Sequence, residues 1–169
     1  MTEHDIPLDA PPAPRLAAAV ERFGEASVIE RSLSLMAGNN EGDEFLLWVG
    51  GRHAEGILGG APALYWPELW GLRALLHVWS DDAVEPVRTA FGDQAWRIRE
   101  MACRVAAERG VTAADVAEPL LTDDVARVRA AAARAWPRIG GDPERLAALL
   151  RDPEIDVRRS AQQAIDAAR

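Results

Sequence analysis

The sequence predicts an all-α protein: a right-handed α-solenoid of stacked antiparallel helix pairs with a divergent helical N-terminal cap. Three observations point there. One ten-residue phrase is written three times, as DQAWRIREMA at 93–102, DDVARVRAAA at 123–132 and DPEIDVRRSA at 152–161, in steps of 30 and 29 residues. A fixed period of that length marks a stacked repeat array. The 169 residues include 32 alanines, which favours helix. Only one Tyr and three Phe occur, too few β-favouring aromatics for a sandwich or barrel.

Residues 1–14 carry four prolines and no period, and read as a disordered tail. From Arg15, the residues Leu16, Val20 and Phe23 recur at i, i+4 and i+7, one face of a helix that Gly24 ends. A second helix covers about 26–37, followed by the turn cluster Gly38, Asn39, Asn40, Glu41 and Gly42. Asp43 is placed to cap the next helix, read as one piece over 43–58, with Gly50 and Gly51 letting another helix come close. Pro67 suits the first turn of a helix over 66–79. Residues 15–82 thus form a divergent helical part, and 83–169 form three repeats, within one continuous domain.

In the repeats, short A helices fall near 83–91, 112–121 and 143–150, and B helices near 95–109, 125–139 and 154–168. Thr112 with Asp115, Asp142 and Asp152 offer caps, while Gly110 and Gly140 stop B helices. Pro119 and Pro137 shorten or kink the helices that hold them. In each phrase an apolar residue (Ile98, Val128, Val157) precedes an alanine (Ala102, Ala132, Ala161) by four, placing both on one face of helix B. No 30-residue unit buries that face alone, so each stacks on the next.

Asp93 and Arg99, Asp123 and Arg129, Asp152 and Arg158 are each six apart. The aspartate lies where its carboxylate can cap helix B. The arginine, one turn in, can reach that carboxylate or the one in the adjacent repeat, and its forked donors can bridge two acceptors. Binding sites differ between copies whereas scaffolding stays the same, so the constant spacing marks a structural ladder.

This Asp-x-x-x-x-Val-Arg-x-x-Ala signature resembles HEAT repeats, in the short bacterial form also found in phycocyanobilin lyase subunits. The resemblance covers 83–169 well and 43–82 loosely. It implies helical pairs whose B helices line a concave face. It leaves activity open, because the family spans scaffolds, lyase subunits, hydroxylases and DNA-repair glycosylases.

Charge and composition narrow the classes. The net charge of −8 sits wholly before residue 93, and the repeats are neutral. Nucleic-acid binders carry a basic excess, so nucleic acid is disfavoured as a partner. The single Cys103 excludes an internal disulfide and reads as a buried, inert thiol. The chain has no 18-residue apolar run and an acidic start, so no membrane span or secretory signal is expected, and the cytoplasm is the default. Histidines are not clustered at metal-ligand spacing, and no phosphate loop is present, so no metal and no cofactor are expected. No catalytic residue is assigned.

The six tryptophans supply the candidate site. Trp48 and Trp79 read as core. Trp66, Glu68, Trp70 and Arg73 with Trp96 and Arg97 form an expected binding face, because Trp and Arg dominate binding hot spots. Asn39, Asn40, Glu41, Arg52 and His53 form a possible polar loop site. The leading function is therefore a non-enzymatic interaction or scaffold module that takes a protein or peptide on a Trp/Arg-lined concave face. One alternative is a small-molecule enzyme, or a chaperone for a cofactor-bearing protein, with a Trp-rich N-terminal pocket. A further one is a DNA-binding protein like the alkylbase-repair glycosylases, with Glu68 beside Trp66 and Trp70 where those use an aspartate. The oligomeric state is not legible.

Overall fold

The computed structural model describes residues 6–169, and every regular element among them is helical. They fall into two compact units, one ending at Ala83 and one spanning Val84–Arg169.

The first unit holds α1 (Pro12–Phe23), α2 (Glu25–Met36), α3 (Asp43–Gly50), α4 (Arg52–Leu58) and α5 (Trp66–Ala74). Residues 6–14 are not a loose tail. Pro12 opens α1, and a turn before it presents the Leu8 and Ala10 carbonyls to Arg15. Residues 1–5 of the expected tail lie outside the described residues. The expected single helix over 43–58 is two helices, because Gly51 takes φ +61° and turns the chain. Gly50 serves the other expected purpose: a Cβ there would stand 2.5 Å from the Trp70 ring. The cap position before α3 is Gly42 rather than Asp43, and Asp43 and Glu44 instead place negative charge in the first turn. Helix α5 stops at Ala74, not 79, as the bonds at Leu75, Leu76 and His77 tighten to i→i−3.

Leu16, Val28, Leu35, Phe45, Trp48 and Trp70 make the core of this unit. Its one buried cation is Arg15, 4% exposed among the described residues. The break at Gly51 leaves carbonyls at the end of α3 without helical partners. Arg15 Nε donates to the Trp48 carbonyl at 2.8 Å and its Nη2 to that of Val49 at 3.3 Å. Arg73 Nη2 also donates to the Val49 carbonyl, at 2.9 Å.

The second unit holds α6 (Val84–Ala90), α7 (Trp96–Arg109), α8 (Ala114–Ala117), α9 (Ala126–Ala135) and α10 (Ile155–Ala167). Helix α7 packs on α9, and α9 on α10, so successive B helices are neighbours. The A helices are shorter than expected. Glu118–Thr122 and the whole of Pro143–Arg151 are 3₁₀, as is Trp136–Ile139 at the end of α9. Pro119 and Pro137 account for two of these by removing an i→i−4 donor. Thr112 does not cap: Ala113 holds that position, and Arg88 takes both the Thr112 carbonyl and the Asp115 carboxylate.

The ladder forms between repeats. Arg99 grips the Asp123 carboxylate through Nε and Nη2, at 2.8 and 3.0 Å. Arg129 grips Asp152 in the same way at the same distances. Within its own repeat each arginine reaches backbone rather than carboxylate: Nη1 of Arg99, Arg129 and Arg158 donates to the carbonyls of Asp93, Asp123 and Asp152. Each aspartate in turn accepts from the N–H two residues on, at 2.7–2.9 Å. One guanidinium thus joins its own A–B turn to the next.

Candidate functional site

The two units divide the expected binding residues. In the first, Trp70 is 1% exposed and belongs to the core, contrary to its expected place on a binding face. Arg73 is half-buried on the Val49 carbonyl. Trp66 is half-buried, with its ring centroid 4.4 Å from His53 and 6.3 Å from Trp70. Glu68 has a buried Oε2 without a hydrogen-bond donor among the described residues. Trp48 is core as expected, at 2% exposure, whereas Trp79 is half-buried.

The polar loop residues are drawn into local ties rather than gathered into a site. Asn40 Oδ1 accepts from Gly42 N at 2.8 Å. Glu41 is held by Arg31 through its side chain and its carbonyl. Arg52 forks onto Asp9 and also reaches Glu55, while His53 lies against Trp66. Asn39 is exposed.

Trp96 and Arg97 are in the second unit. Trp96 opens α7 half-buried, with the Arg97 guanidinium 4.2 Å from its ring centroid and that of Arg127 at 5.2 Å. Cations over an indole face hold it in place, each contributing about 0.5–1 kcal/mol at exposed sites. Arg127 also bonds Glu100 across helices at 3.1 Å.

On the same B-helix face lies an open hollow of about 650 Å³, lined by residues of α7, α9 and α10. Its lining includes the buried Ala130 and Ser160 and the half-buried Ala126. Its walls carry Arg127, Arg134 and Arg159 against Glu100, Glu154 and Asp156. The hollow exists because Ala130 stands in the middle copy where its neighbours one period away have Glu100 and Arg159.

Sequence reasoning missed these residues, yet a signal was present. Positions 97, 100 and 104 of one B helix correspond to 127, 130 and 134 and then to 156, 159 and 163, one helical stripe in three copies. The copies read Arg-Glu-Arg, Arg-Ala-Arg and Asp-Arg-Gln. This stripe varies while the ladder stays fixed, and apart from the buried Ala130 its residues are half-buried or exposed.

The remaining chemistry is quiet. Cys103 is fully buried, and loss of hydration pushes its thiol up to about 12, so it stays protonated at neutral pH. No group of three or more His, Cys, Asp or Glu side chains among the described residues is gathered as a metal ion would need. No helix among them is long and apolar enough to cross a membrane.

Stacked A–B pairs joined by an Asp–Arg ladder define a helical repeat array. Residues 84–166 match the family model for HEAT repeats, and this part of the chain belongs to the HEAT-repeat family. HEAT repeats commonly serve as protein-interaction scaffolds. No curated protein matches the chain.

Proposed function

We propose that this chain is a non-enzymatic, cytoplasmic interaction module that holds a segment of a partner protein on the B-helix face of its Val84–Arg169 unit. The observation that carries the reading is Trp96, half-buried between Arg97 and Arg127 on the same helices as the hollow. A rigid aromatic held by two cations offers contact area at little cost in conformational entropy, the usual make-up of a binding hot spot. The hollow is polar and open, which suits a peptide lying across it better than an enclosed small molecule. Its balanced charges do not favour a nucleic-acid backbone.

Display of random dodecapeptides against the full chain tests this. Enriched peptides that lose binding to Trp96→Ala, with the helical circular dichroism spectrum retained, support the reading. Failure to enrich any peptide, or peptides indifferent to Trp96→Ala, overturns it.

A further inference from the structure

We infer that the hollow selects a partner segment by its acidic side chain, seating a carboxylate between Arg134 and Arg159 beside the Ser160 hydroxyl. This rests on the binding face proposed above and adds what the face recognises.

The unit uses its other inter-repeat arginines internally. Arg99 and Arg129 serve the ladder, Arg88 holds Asp115, Arg127 holds Glu100 and Arg145 holds Glu118. Arg134 and Arg159 form no ion pair among the described residues, although both line the hollow. Arg134 Nη1 donates instead to Ser160 Oγ at 2.8 Å. That bond holds the guanidinium against the hydroxyl of Ser160, a residue only 3% exposed. Both guanidinium groups line the one hollow, so an anion seated there is attracted by both.

The anion's class follows from the other wall. Glu154 and Asp156 line the same hollow and also form no ion pair among the described residues. A dianionic phosphate meets two exposed carboxylates there, whereas a carboxylate carries half the charge. The planar fork of Arg holds either anion with paired bonds, so the charge of the two acids is what favours the carboxylate. The same two acids favour a basic residue elsewhere in the partner segment. The occupant is therefore a mixed-charge peptide segment with an acid at its centre.

Nuclear magnetic resonance of the arginine Nε–H groups in the ¹⁵N-labelled full chain tests the seat itself. The probes are blocked glutamate (N-acetyl-glutamate methylamide) and, separately, inorganic phosphate at equal concentration. Saturable shifts at Arg134 and Arg159 with glutamate, absent at exposed Arg104 and Arg138 and lost in Arg159→Gln, support the inference. Shifts that stay linear and alike at all four arginines overturn it, as does saturation by phosphate alone. Among display-selected peptides, replacing the acid by its amide should weaken binding about tenfold. Selected peptides that lack an acid overturn the inference while leaving the binding face intact. If no peptide is selected, it is the binding face that falls, and the glutamate titration still reports on the seat.

Discussion

Arg129 reaches out of its own repeat to hold Asp152 of the next with two parallel bonds of 2.8 and 3.0 Å, while its third nitrogen holds the Asp123 carbonyl of its own turn at 2.7 Å. The pair is largely shielded from water, with side-chain exposures of 14% and 6%. Removing either partner leaves a shielded charge without its counter-charge. Arg129→Leu or Asp152→Asn should therefore cost about 2–3 kcal/mol in chemical denaturation. Arg52→Leu provides the contrast, because its partner Asp9 is 79% exposed and the pair is screened by solvent. That substitution should leave the denaturation midpoint nearly unchanged.

Acid should weaken the array through these same aspartates. The bond from Arg129 holds the Asp152 carboxyl below its ordinary 3.8, against the opposing effect of burial. At Asp123 burial is the largest influence and acts upward, but the bonds from Arg99 and Val125 N–H outweigh it and the net shift is again downward. A carboxyl with a lower pKa in the folded state adds stability above its unfolded value. That stability is lost as pH falls through the folded value. Urea unfolding measured from pH 5 to pH 2 should show stability falling with pH. Asp152→Asn should reduce the slope by up to about one proton.

Two glycines should respond in opposite directions. A Cβ at Gly71 would stand 2.5 Å from the Ser32 carbonyl oxygen, because α5 and α2 approach closely there. Gly71→Ala should cost about 1–3 kcal/mol. Gly56 lies within α4 with nothing within 4 Å of a built Cβ. Gly56→Ala should stabilise by about 0.5–1 kcal/mol, as helix propensity alone predicts. Thermal melts of both variants check the pair.

Cys103 should resist thiol reagents in the folded protein. Its side chain is fully buried and its thiol is raised to about 12 by burial. Ellman's reagent at pH 8 should react only on unfolding, so the labelling rate should follow the denaturation curve.

The repeated half of the fold was legible because its signal is periodic: Ile98, Val128 and Val157 mark the stacking face, and the Asp–Arg spacing marks the ladder. What the spacing left open was the partner of each arginine. That depends on the distance between repeats, and the structure places each carboxylate contact in the next repeat. The first half was less legible. Arg15 reads as an ordinary first-turn residue, yet it answers carbonyls released by a glycine break 36 residues later. Trp70 reads as a hot-spot residue, yet the absence of side chains at Gly50 makes a slot for its ring. Such pairings are non-local, and no period announces them. The B-helix hollow sits between these cases, since its residues lie on a periodic stripe but are identified by how the copies differ.

The most direct test of the binding face is the affinity of a fluorescein-labelled, display-selected peptide for the full chain, measured by anisotropy for wild type and Trp96→Ala. A weakening of tenfold or more, about 1.4 kcal/mol, with an unchanged melting temperature is the predicted result. Equal affinity for the two proteins would contradict a binding face centred on Trp96.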